Sequence, residues 1–365
     1  MSMLRNRKII FSLIIGILFS GVAIYASFRN IPVSELLEYM KSINVFWITV
    51  SVLIGLSSYF IRALRWQVIL TPVKKVGFWH AYHPLTIAFM INCILPGRLG
   101  ELARPAILYK RDNVEFSKVL ATVGTERIFD LITMLFLFIV FISGIELDPG
   151  LGIDFNGHMI NQDTLHGLWS KMIAISIILI SAILMFMMPF TRRTLSRFFS
   201  WLPHLLFFTT KHFRDTISNR IHQKSHAILE NLSLGFEILK SPAKVLICLA
   251  LSCAVWLLSF AAFYVMSLGC SGIELSFSQA STVVIIICFF IMLPSVPGFW
   301  GIWEVGGIYG LMLFSIPKVE AAGLTLTFHF FQIIPLIVLG LLSSWVTGIS
   351  IAQAAYRGES DQDTQ

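Results

Sequence analysis

The chain has 365 residues, of which 56% are hydrophobic and only 13% are charged, and its mean hydropathy is +0.79. A soluble domain carries about 25% charged residues, so this composition excludes an ordinary soluble protein and indicates an integral membrane protein. The 27 Lys and Arg residues exceed the 20 Asp and Glu residues. They lie in short blocks between long apolar runs, as charges that set membrane topology do, which excludes a nucleic-acid-binding protein.

Six apolar runs are predicted to cross the membrane as helices. Only helices and closed barrels satisfy their backbone hydrogen bonds in lipid, and the period-two alternation of a barrel is absent, so the predicted fold class is all-α. The runs are residues 9–28, 44–61, 128–145, 172–191, 245–268 and 321–356. The third run is long enough only if Glu126 and Arg127, which precede it, lie at membrane depth.

Two further apolar runs, residues 78–95 and 275–303, are followed or interrupted by proline and glycine. Proline removes a helix hydrogen bond and its ring clashes with the preceding turn, so such clusters break a helix. Because Lys and Arg lie on both sides of the first run, the positive-inside rule returns it to the cytoplasm, and the same counting returns the second run to the outside. We therefore predict two re-entrant hairpins. Their breaks fall at Pro96 and Gly97 in the first run and at Pro294, Pro297 and Gly298 in the second.

The loop charges predict the topology. Residues 146–170 contain four acidic residues and no Lys or Arg, whereas residues 191–244 contain nine Lys and Arg. By the positive-inside rule the first segment is external and the second cytoplasmic, and the same rule places both termini in the cytoplasm. Apolar residues recur at helical spacing within residues 190–242, which predicts an amphipathic helix on the inner leaflet.

The chain also contains a weak internal repeat, with halves at about residues 43–147 and 243–347. Each half reads as a span, a re-entrant hairpin and a span, and the charge topology gives the halves opposite orientations. Inverted repeats with broken helices are typical of transporters. We predict one integral membrane domain over residues 1–356 and a polar tail over residues 357–365.

Charged residues beside the first break are candidates for a binding site, because a charge at the bilayer centre costs about 2.5–3.5 kcal/mol and usually faces a polar interior. Arg98, Glu101 and Arg104 are spaced to share one helical face, where each arginine can pair with Glu101. One interpretation is a site in which an arginine grips a phosphate through a bidentate fork. The other is a salt-bridged face that anchors the hairpin.

Two further groups of charged residues leave the same choice open. Glu126, Arg127 and Asp130 open the third span as either a site or an interfacial cap, and Asp130 is spaced to pair with Arg127. Glu304 follows the second break as Glu101 follows the first. It either binds substrate or couples protons, or it lies at the outer interface beside Trp300 and Trp303.

Arg62, Arg65 and Trp66 follow the second span, and we interpret them as anchors at the cytoplasmic interface. His329 and Gln332 are interpreted as polar residues that open the last span, as Glu126 and Arg127 open the third. The cysteines show no metal-binding spacing, and no nucleotide-binding motif is present, so we expect no metal and no cofactor.

Four motifs in this order resemble the membrane region of the bacterial lysylphosphatidylglycerol synthase/flippase family. They are Arg62-x-x-Arg65-Trp66, Asn92-x-x-Leu95-Pro96-Gly97-Arg98-Leu99-Gly100-Glu101-x-x-Arg104, Glu126-Arg127-x-x-Asp130 and Pro294-x-x-Pro297-Gly298-x-x-Gly301-x-x-Glu304. The resemblance implies a flippase-like domain of the bacterial inner membrane that translocates a phospholipid or modified phospholipid. By position it implies substrate-binding roles for Arg98, Glu101, Arg104, Glu126, Arg127, Asp130 and Glu304.

Bifunctional relatives carry an aminoacyl-transferase domain after the membrane region, whereas this sequence ends soon after Arg357. The resemblance therefore does not extend to a lysyltransferase assignment, and the lipid need not be lysylated. The alternatives are a membrane-embedded transferase that uses Glu101 or Glu304 as general base, and a lipid-binding scaffold. The expected partners are membrane lipids and no nucleic acid; a homo-oligomer and a separate lipid-modifying enzyme stay open.

Overall fold

A computed structural model describes residues 31–95, 98–142, 237–292 and 296–349, most of residues 17–29 and some positions between 153 and 194. This part of the chain is helical, as predicted, apart from one short hairpin. Strands β1 (Ile153–Phe155) and β2 (His158–Ile160) pair antiparallel, with Phe155 opposite His158. The sequence between the strands is Asn-Gly, which is a strong signal for a two-residue hairpin turn.

Eight helices form the main body of the described chain, after a short helix α1 (Val33–Ser42). The first four are α2 (Val45–Leu70), α3 (Phe78–Ile94), α4 (Gly100–Asp112) and α5 (Phe116–Ile142). The second four are α6 (Pro242–Ser267), α7 (Phe277–Phe290), α8 (Ile302–Met312) and α9 (Lys318–Thr347), and short 3-10 turns precede α6 and α8. Both sets therefore follow the order long, short, short, long.

Three helices of the described chain, α2, α6 and α9, are long and apolar enough to cross a membrane. They confirm three of the six predicted spans, with shifted ends. Helix α2 continues to Leu70 rather than ending at residue 61. Helix α9 ends at Thr347 rather than continuing to residue 356, because Gly348 takes a left-handed conformation (φ 65°) that stops the helix.

Helix α5 is 27 residues long and contains residues 128–142 of the third predicted span. Every 18-residue stretch of it includes Glu126, Arg127 and Asp130, so its composition alone does not mark it as a span. Half of the run 9–28 and most of the run 172–191 and of the amphipathic segment 190–242 lie outside the described residues. Ser20 is described, and its hydroxyl accepts a hydrogen bond of 3.2 Å from the backbone N–H of Val296. The first run therefore contacts the second helix break.

Each predicted break lies between two helices that pack against each other. In the second hairpin Gly306 approaches Ile287 and Phe290, and Gly310 approaches Val283, so α7 and α8 run antiparallel. Between them Gly298 has φ 70° and Gly301 has φ 89°, conformations that favour glycine. In the first hairpin Gly100 begins α4 directly against α3. Pro96, Gly97 and Pro294 lie outside the described residues.

The bundle is centred on α2 and α6, which pack extensively against each other. The hydroxyl of Ser51 on α2 donates a buried hydrogen bond of 2.7 Å to the carbonyl of Ala262 on α6. One hydrophobic cluster surrounds Phe263 and Phe328, and another surrounds Trp66 and Phe129. The eight helices thereby enclose a central space.

Candidate functional site

A cavity of about 270 Å³ lies in this central space, and each of the helices α2 to α9 contributes to its lining. Much of the wall is apolar or aromatic and includes Tyr59, Phe89, Trp256 and Phe328. Its charged residues are Arg62, Arg98, Glu101, Arg104 and Arg127. An apolar cavity with a few convergent polar groups is the usual form of a small-molecule site.

Four of the seven predicted site residues line this cavity, namely Arg98, Glu101, Arg104 and Arg127. The other three lie behind its wall. Glu126 and Asp130 contact the arginines that face the cavity, and Glu304 contacts the lining residue His329. The fold therefore brings all seven residues to one region of the bundle.

Glu126 is the centre of a buried network of ion pairs. One carboxylate oxygen accepts a hydrogen bond of 2.9 Å from Arg65, and the other accepts one of 2.5 Å from Arg104. Arg65 also donates to Asp130 at 2.5 Å and to the hydroxyl of Ser252 at 2.7 Å. A buried charge without a partner is strongly destabilising, so the network lets these charges occupy the interior while it fixes α2, α4, α5 and α6 relative to one another.

The interpretation of Arg65 and Trp66 as interfacial anchors was wrong. Both side chains are fully buried, because α2 continues through them to Leu70. The apolar residues Val68, Ile69 and Leu70 beyond the arginines were the signal that could have predicted this continuation.

Arg62 was also interpreted as an anchor, but it lines the cavity. Its guanidinium carbon lies 6.0, 5.6 and 5.7 Å from the ring centroids of Tyr59, Phe89 and Trp256. These distances are within the range of cation–π contacts. No ion pair or hydrogen bond links the Arg62 guanidinium to another residue of the described chain.

The predicted pairing of Arg98 and Arg104 with Glu101 was also wrong. Arg104 pairs with Glu126 from α5, because a buried carboxylate in a low dielectric attracts the guanidinium more strongly than a half-exposed neighbour on its own helix. The nearest cation to Glu101 is Arg127, at 3.7 Å. The predicted local pair of Arg127 with Asp130 is confirmed, at 3.2 Å.

Arg98 lies outside the helix that was predicted to carry it, since α4 begins at Gly100. Its backbone is left-handed, with φ 55°. Its guanidinium donates a hydrogen bond of 2.6 Å to the carbonyl of Ile291 and lies 5.6 Å from the ring of Phe299. Ile291 and Phe299 flank the second helix break, so Arg98 connects the two hairpins.

Glu304 is 1% exposed and lies inside the bundle rather than at its surface. One carboxylate oxygen accepts a hydrogen bond of 2.6 Å from the backbone N–H of Gly301, and the other lies 2.6 Å from Nδ1 of His329. The His329 ring packs against Trp300 and Trp303, with centroids 4.5 and 4.6 Å away. Glu304 thus reaches the cavity through His329.

His329 and Gln332 do not open the last span as predicted. Both lie in the interior of α9, which begins at Lys318, and both line the cavity. Glu126 and Arg127 likewise lie in the interior of α5. Charges in loops indicate where a chain leaves the membrane. These charged and polar residues lie within the helix bundle instead, because side chains from other helices pair with them or accept their hydrogen bonds.

The chain is similar to known proteins in two respects. Residues 13–340 match the model of the family described as the lysylphosphatidylglycerol synthase TM region. A curated relative, glycosyltransferase AglD of Haloferax volcanii, is 25% identical over 144 residues. That alignment covers 38% of this chain and 23% of the relative, so the chain matches only about a quarter of the relative's length.

Proposed function

The chain belongs to the lysylphosphatidylglycerol synthase TM region family, whose model covers residues 13–340, and we propose that it translocates a phospholipid across the membrane. The headgroup would bind in the central cavity between the two hairpins. The observation that carries the proposal is the cavity itself, which places four arginines and Glu101 in a wall that is otherwise largely apolar or aromatic. A phospholipid needs both surfaces, because its phosphate is charged and its chains are apolar.

The volume of the cavity fits a headgroup that binds inside it and acyl chains that remain outside it. About 270 Å³ lies just below the usual range for small-molecule sites, which begins near about 300 Å³. Such a space accommodates a headgroup and excludes two acyl chains, which would stay in the bilayer during the movement. The arginines would replace the water that the phosphate loses there.

The order of the helices supports a transporter architecture. Helices α2 to α5 are 26, 17, 13 and 27 residues long, and helices α6 to α9 are 26, 14, 11 and 30 residues long. We propose that these sets are inverted repeats and that both hairpins are re-entrant. In such folds the substrate site lies where the broken helices of the two repeats meet, and alternating access comes from movement of one repeat against the other.

Reconstitution into vesicles tests the proposal. Fluorescent phosphatidylglycerol would be placed in both leaflets, and dithionite, which reduces only the outer label, would be added outside. With the protein present, label that is protected in protein-free vesicles should become reducible. Arg127→Gln should slow this loss, whereas Lys75→Gln, an exposed charge change outside the cavity lining, should not. Equal protection with and without protein would contradict translocation.

A membrane-embedded transferase is the second candidate, because the Haloferax relative is a glycosyltransferase by name. Glu101 lines the cavity and its side chain is 31% exposed, so its carboxylate is accessible as a general base. Chromatography of the lipids recovered from the same vesicles, after incubation with a lipid-linked sugar donor, separates the two functions. A covalently modified lipid supports the transferase, and label movement without modification supports translocation.

A further inference from the structure

We propose that the cavity selects lipids whose headgroup is net anionic and that Arg62 is the principal ligand of the phosphate. This inference rests on the proposed function and names its substrate class. The first observation is the charge around the cavity. Five arginines and four carboxylates lie in its lining or directly behind its wall, an excess of one positive charge. They are Arg62, Arg65, Arg98, Arg104, Arg127, Glu101, Glu126, Asp130 and Glu304.

The pairing of these groups shows where the excess lies. Three of the four carboxylates lie within 4 Å of at least one arginine, and the fourth, Glu304, contacts His329. Within the described chain, in contrast, Arg62 and Arg98 have no carboxylate partner. Arg98 is exposed and bonded to a carbonyl, whereas Arg62 is surrounded by aromatic rings. Arg62 is therefore the enclosed cation that has no carboxylate within 4 Å among the described residues.

The aromatic surroundings of Arg62 suit it to bind an anion. The face of an aromatic ring attracts a guanidinium electrostatically. Unlike an oxygen atom, it does not act as a hydrogen-bond acceptor for the guanidinium N–H groups. Its N–H groups therefore remain for a ligand, and a phosphate can accept two of them in parallel. Binding would supply both a directly paired negative charge and the missing acceptors.

Other polar groups of the wall show the same imbalance. The indole N–H groups of Trp256 and Trp303 and Nε of Arg127 are buried and find no acceptor among the described residues. All three groups are donors on residues that line the cavity. A ligand rich in oxygen acceptors matches such a wall, whereas an ammonium group adds further donors.

A cationic headgroup meets the least favourable surroundings. The carboxylate in the cavity lining is Glu101, and Arg127 lies 3.7 Å from it. An aminoacylated lipid would have to place its ammonium beside that arginine and three others, where like charges repel. The site therefore favours a phosphodiester without an ammonium group over a zwitterionic lipid, and it favours an aminoacylated cationic lipid least.

Native mass spectrometry of the purified protein tests the selection. The protein would be incubated with equal amounts of phosphatidylglycerol, phosphatidylcholine and lysylphosphatidylglycerol that carry identical acyl chains. Phosphatidylglycerol should be bound about tenfold more than phosphatidylcholine, which corresponds to about one charge-assisted contact. Equal binding, or preferred binding of the lysylated lipid, would overturn the proposal. This comparison needs no variant and so does not depend on the folding of one.

Variants then test the residue. Arg62→Gln should abolish most of the preference, Arg62→Lys should keep part of it, and Lys75→Gln should keep all of it. A thermal unfolding midpoint for each variant separates loss of binding from loss of fold. If folded Arg62→Gln keeps the full preference, the assignment of Arg62 is wrong.

A third arm identifies the source of the phosphate. Glycerol 3-phosphate carries the same anionic group without acyl chains, and it should displace bound phosphatidylglycerol only weakly. Displacement at equal concentration would show a site for free phosphates and overturn the lipid selection. If the protein prefers anionic lipid but moves no label in vesicles, translocation is contradicted and the selection stands. If it moves all three lipids at one rate and binds them equally, the selection is contradicted and translocation stands.

Discussion

The guanidinium of Arg98 donates a hydrogen bond of 2.6 Å to the backbone carbonyl of Ile291, which is 193 residues away in the chain. Arg98 precedes α4 and Ile291 follows α7, so this bond joins the two hairpins at their breaks. A phosphate is a stronger acceptor for a guanidinium than a neutral carbonyl is. A headgroup that enters the cavity can therefore compete for Arg98 and release one hairpin from the other.

The first prediction is that Arg98→Ala lowers the rate of lipid movement several-fold and leaves the fold nearly unchanged. Arg98 is exposed, and the loss of one hydrogen bond costs about 1 kcal/mol. The dithionite assay measures the rate, and thermal unfolding in detergent measures stability. Arg98→Lys should retain part of the rate because it keeps the charge. A variant that unfolds at a much lower temperature would identify Arg98 as a structural anchor.

The second prediction is that Glu126→Gln is strongly destabilising, by about 3–5 kcal/mol. The substitution removes the charge that compensates Arg65 and Arg104 in a fully buried position. Glu237→Gln is the matched control, because its partner Lys240 is mostly exposed and such a pair contributes about 0–1 kcal/mol. The unfolding midpoints of the two variants, compared with the unaltered protein, check the difference.

Adding Arg104→Gln to Glu126→Gln should restore part of the lost stability, since it removes the cation that Glu126→Gln leaves without a carboxylate within 4 Å, whereas Arg65 keeps Asp130. Additive losses of stability in the double variant would show that the two side chains do not interact. The ion pair between Arg104 and Glu126 would then be contradicted.

These two predictions separate Arg98 from Arg104, which the sequence alone did not. Their spacing suggested a common role on one helical face, but helix α4 begins after Arg98, and Arg104 pairs with a carboxylate 22 residues away. Spacing predicts local pairs such as Arg127 with Asp130, because residues three apart are neighbours on any helix. It cannot predict Arg65 with Glu126, which depends on how α2 packs against α5.

The helical membrane class and the positions of the helix breaks were predictable because both depend on the local sequence. Apolar length determines where a helix can span, and proline and glycine determine where it cannot continue. The depth of a charge was less predictable. The positive-inside rule assigns arginines to loops. Arg62 and Arg65 lie in the bundle instead, because aromatic rings pack around Arg62 and carboxylates from another helix pair with Arg65.

The third prediction concerns the close contact between α3 and α4 in the first hairpin. A Cβ at Gly100 would lie 1.9 Å from the backbone carbonyl oxygen of Ala88. Backbone atoms cannot rotate away, so Gly100→Ala should separate α3 from α4, lower the unfolding midpoint and reduce lipid movement together. Gly124→Ala is the control within a helix, since no atom lies within 4 Å of the added Cβ. It should be neutral or stabilising by about 0.5–1 kcal/mol.

If Gly100→Ala and Gly124→Ala had equal midpoints, the hairpin would not be as tightly packed as the structure shows. If Gly100→Ala were stable but inactive, the close approach would serve movement of the hairpin rather than its folding.

The fourth prediction is the topology that the proposed inverted repeat requires. Single cysteines introduced at Asp154 and at Lys224, in a chain whose five native cysteines are replaced, should react with a membrane-impermeant maleimide from opposite sides of the membrane. The charge asymmetry of the two segments is the reason, since four acidic residues lie in the first and nine basic residues in the second. Labelling from one side would contradict the opposite orientation of the two halves.

The last prediction concerns the proton between Glu304 and His329. A carboxylate only accepts hydrogen bonds, and Glu304 already receives one from the backbone of Gly301. The contact of 2.6 Å with His329 therefore requires a proton on Nδ1, which leaves Nε2 as an acceptor in the neutral ring. Glutamine has a single acceptor oxygen. In Glu304→Gln that oxygen should stay with Gly301, and the amide N–H₂ should donate to Nδ1, which moves the ring proton to Nε2.

The ¹⁵N chemical shifts of His329, assigned by their absence in His329→Gln, report which nitrogen carries the proton. We expect the Nδ1–H tautomer in the unaltered protein and the Nε2–H tautomer in Glu304→Gln, with Glu320→Gln, outside the cavity lining, unchanged. If Nε2 accepts a hydrogen bond from the headgroup, lipid movement should fall in Glu304→Gln while the unfolding midpoint changes little, because both hydrogen bonds of residue 304 persist. A changed tautomer with normal movement would give His329 a purely structural role, between Trp300 and Trp303, that depends on ring packing rather than on the position of its proton.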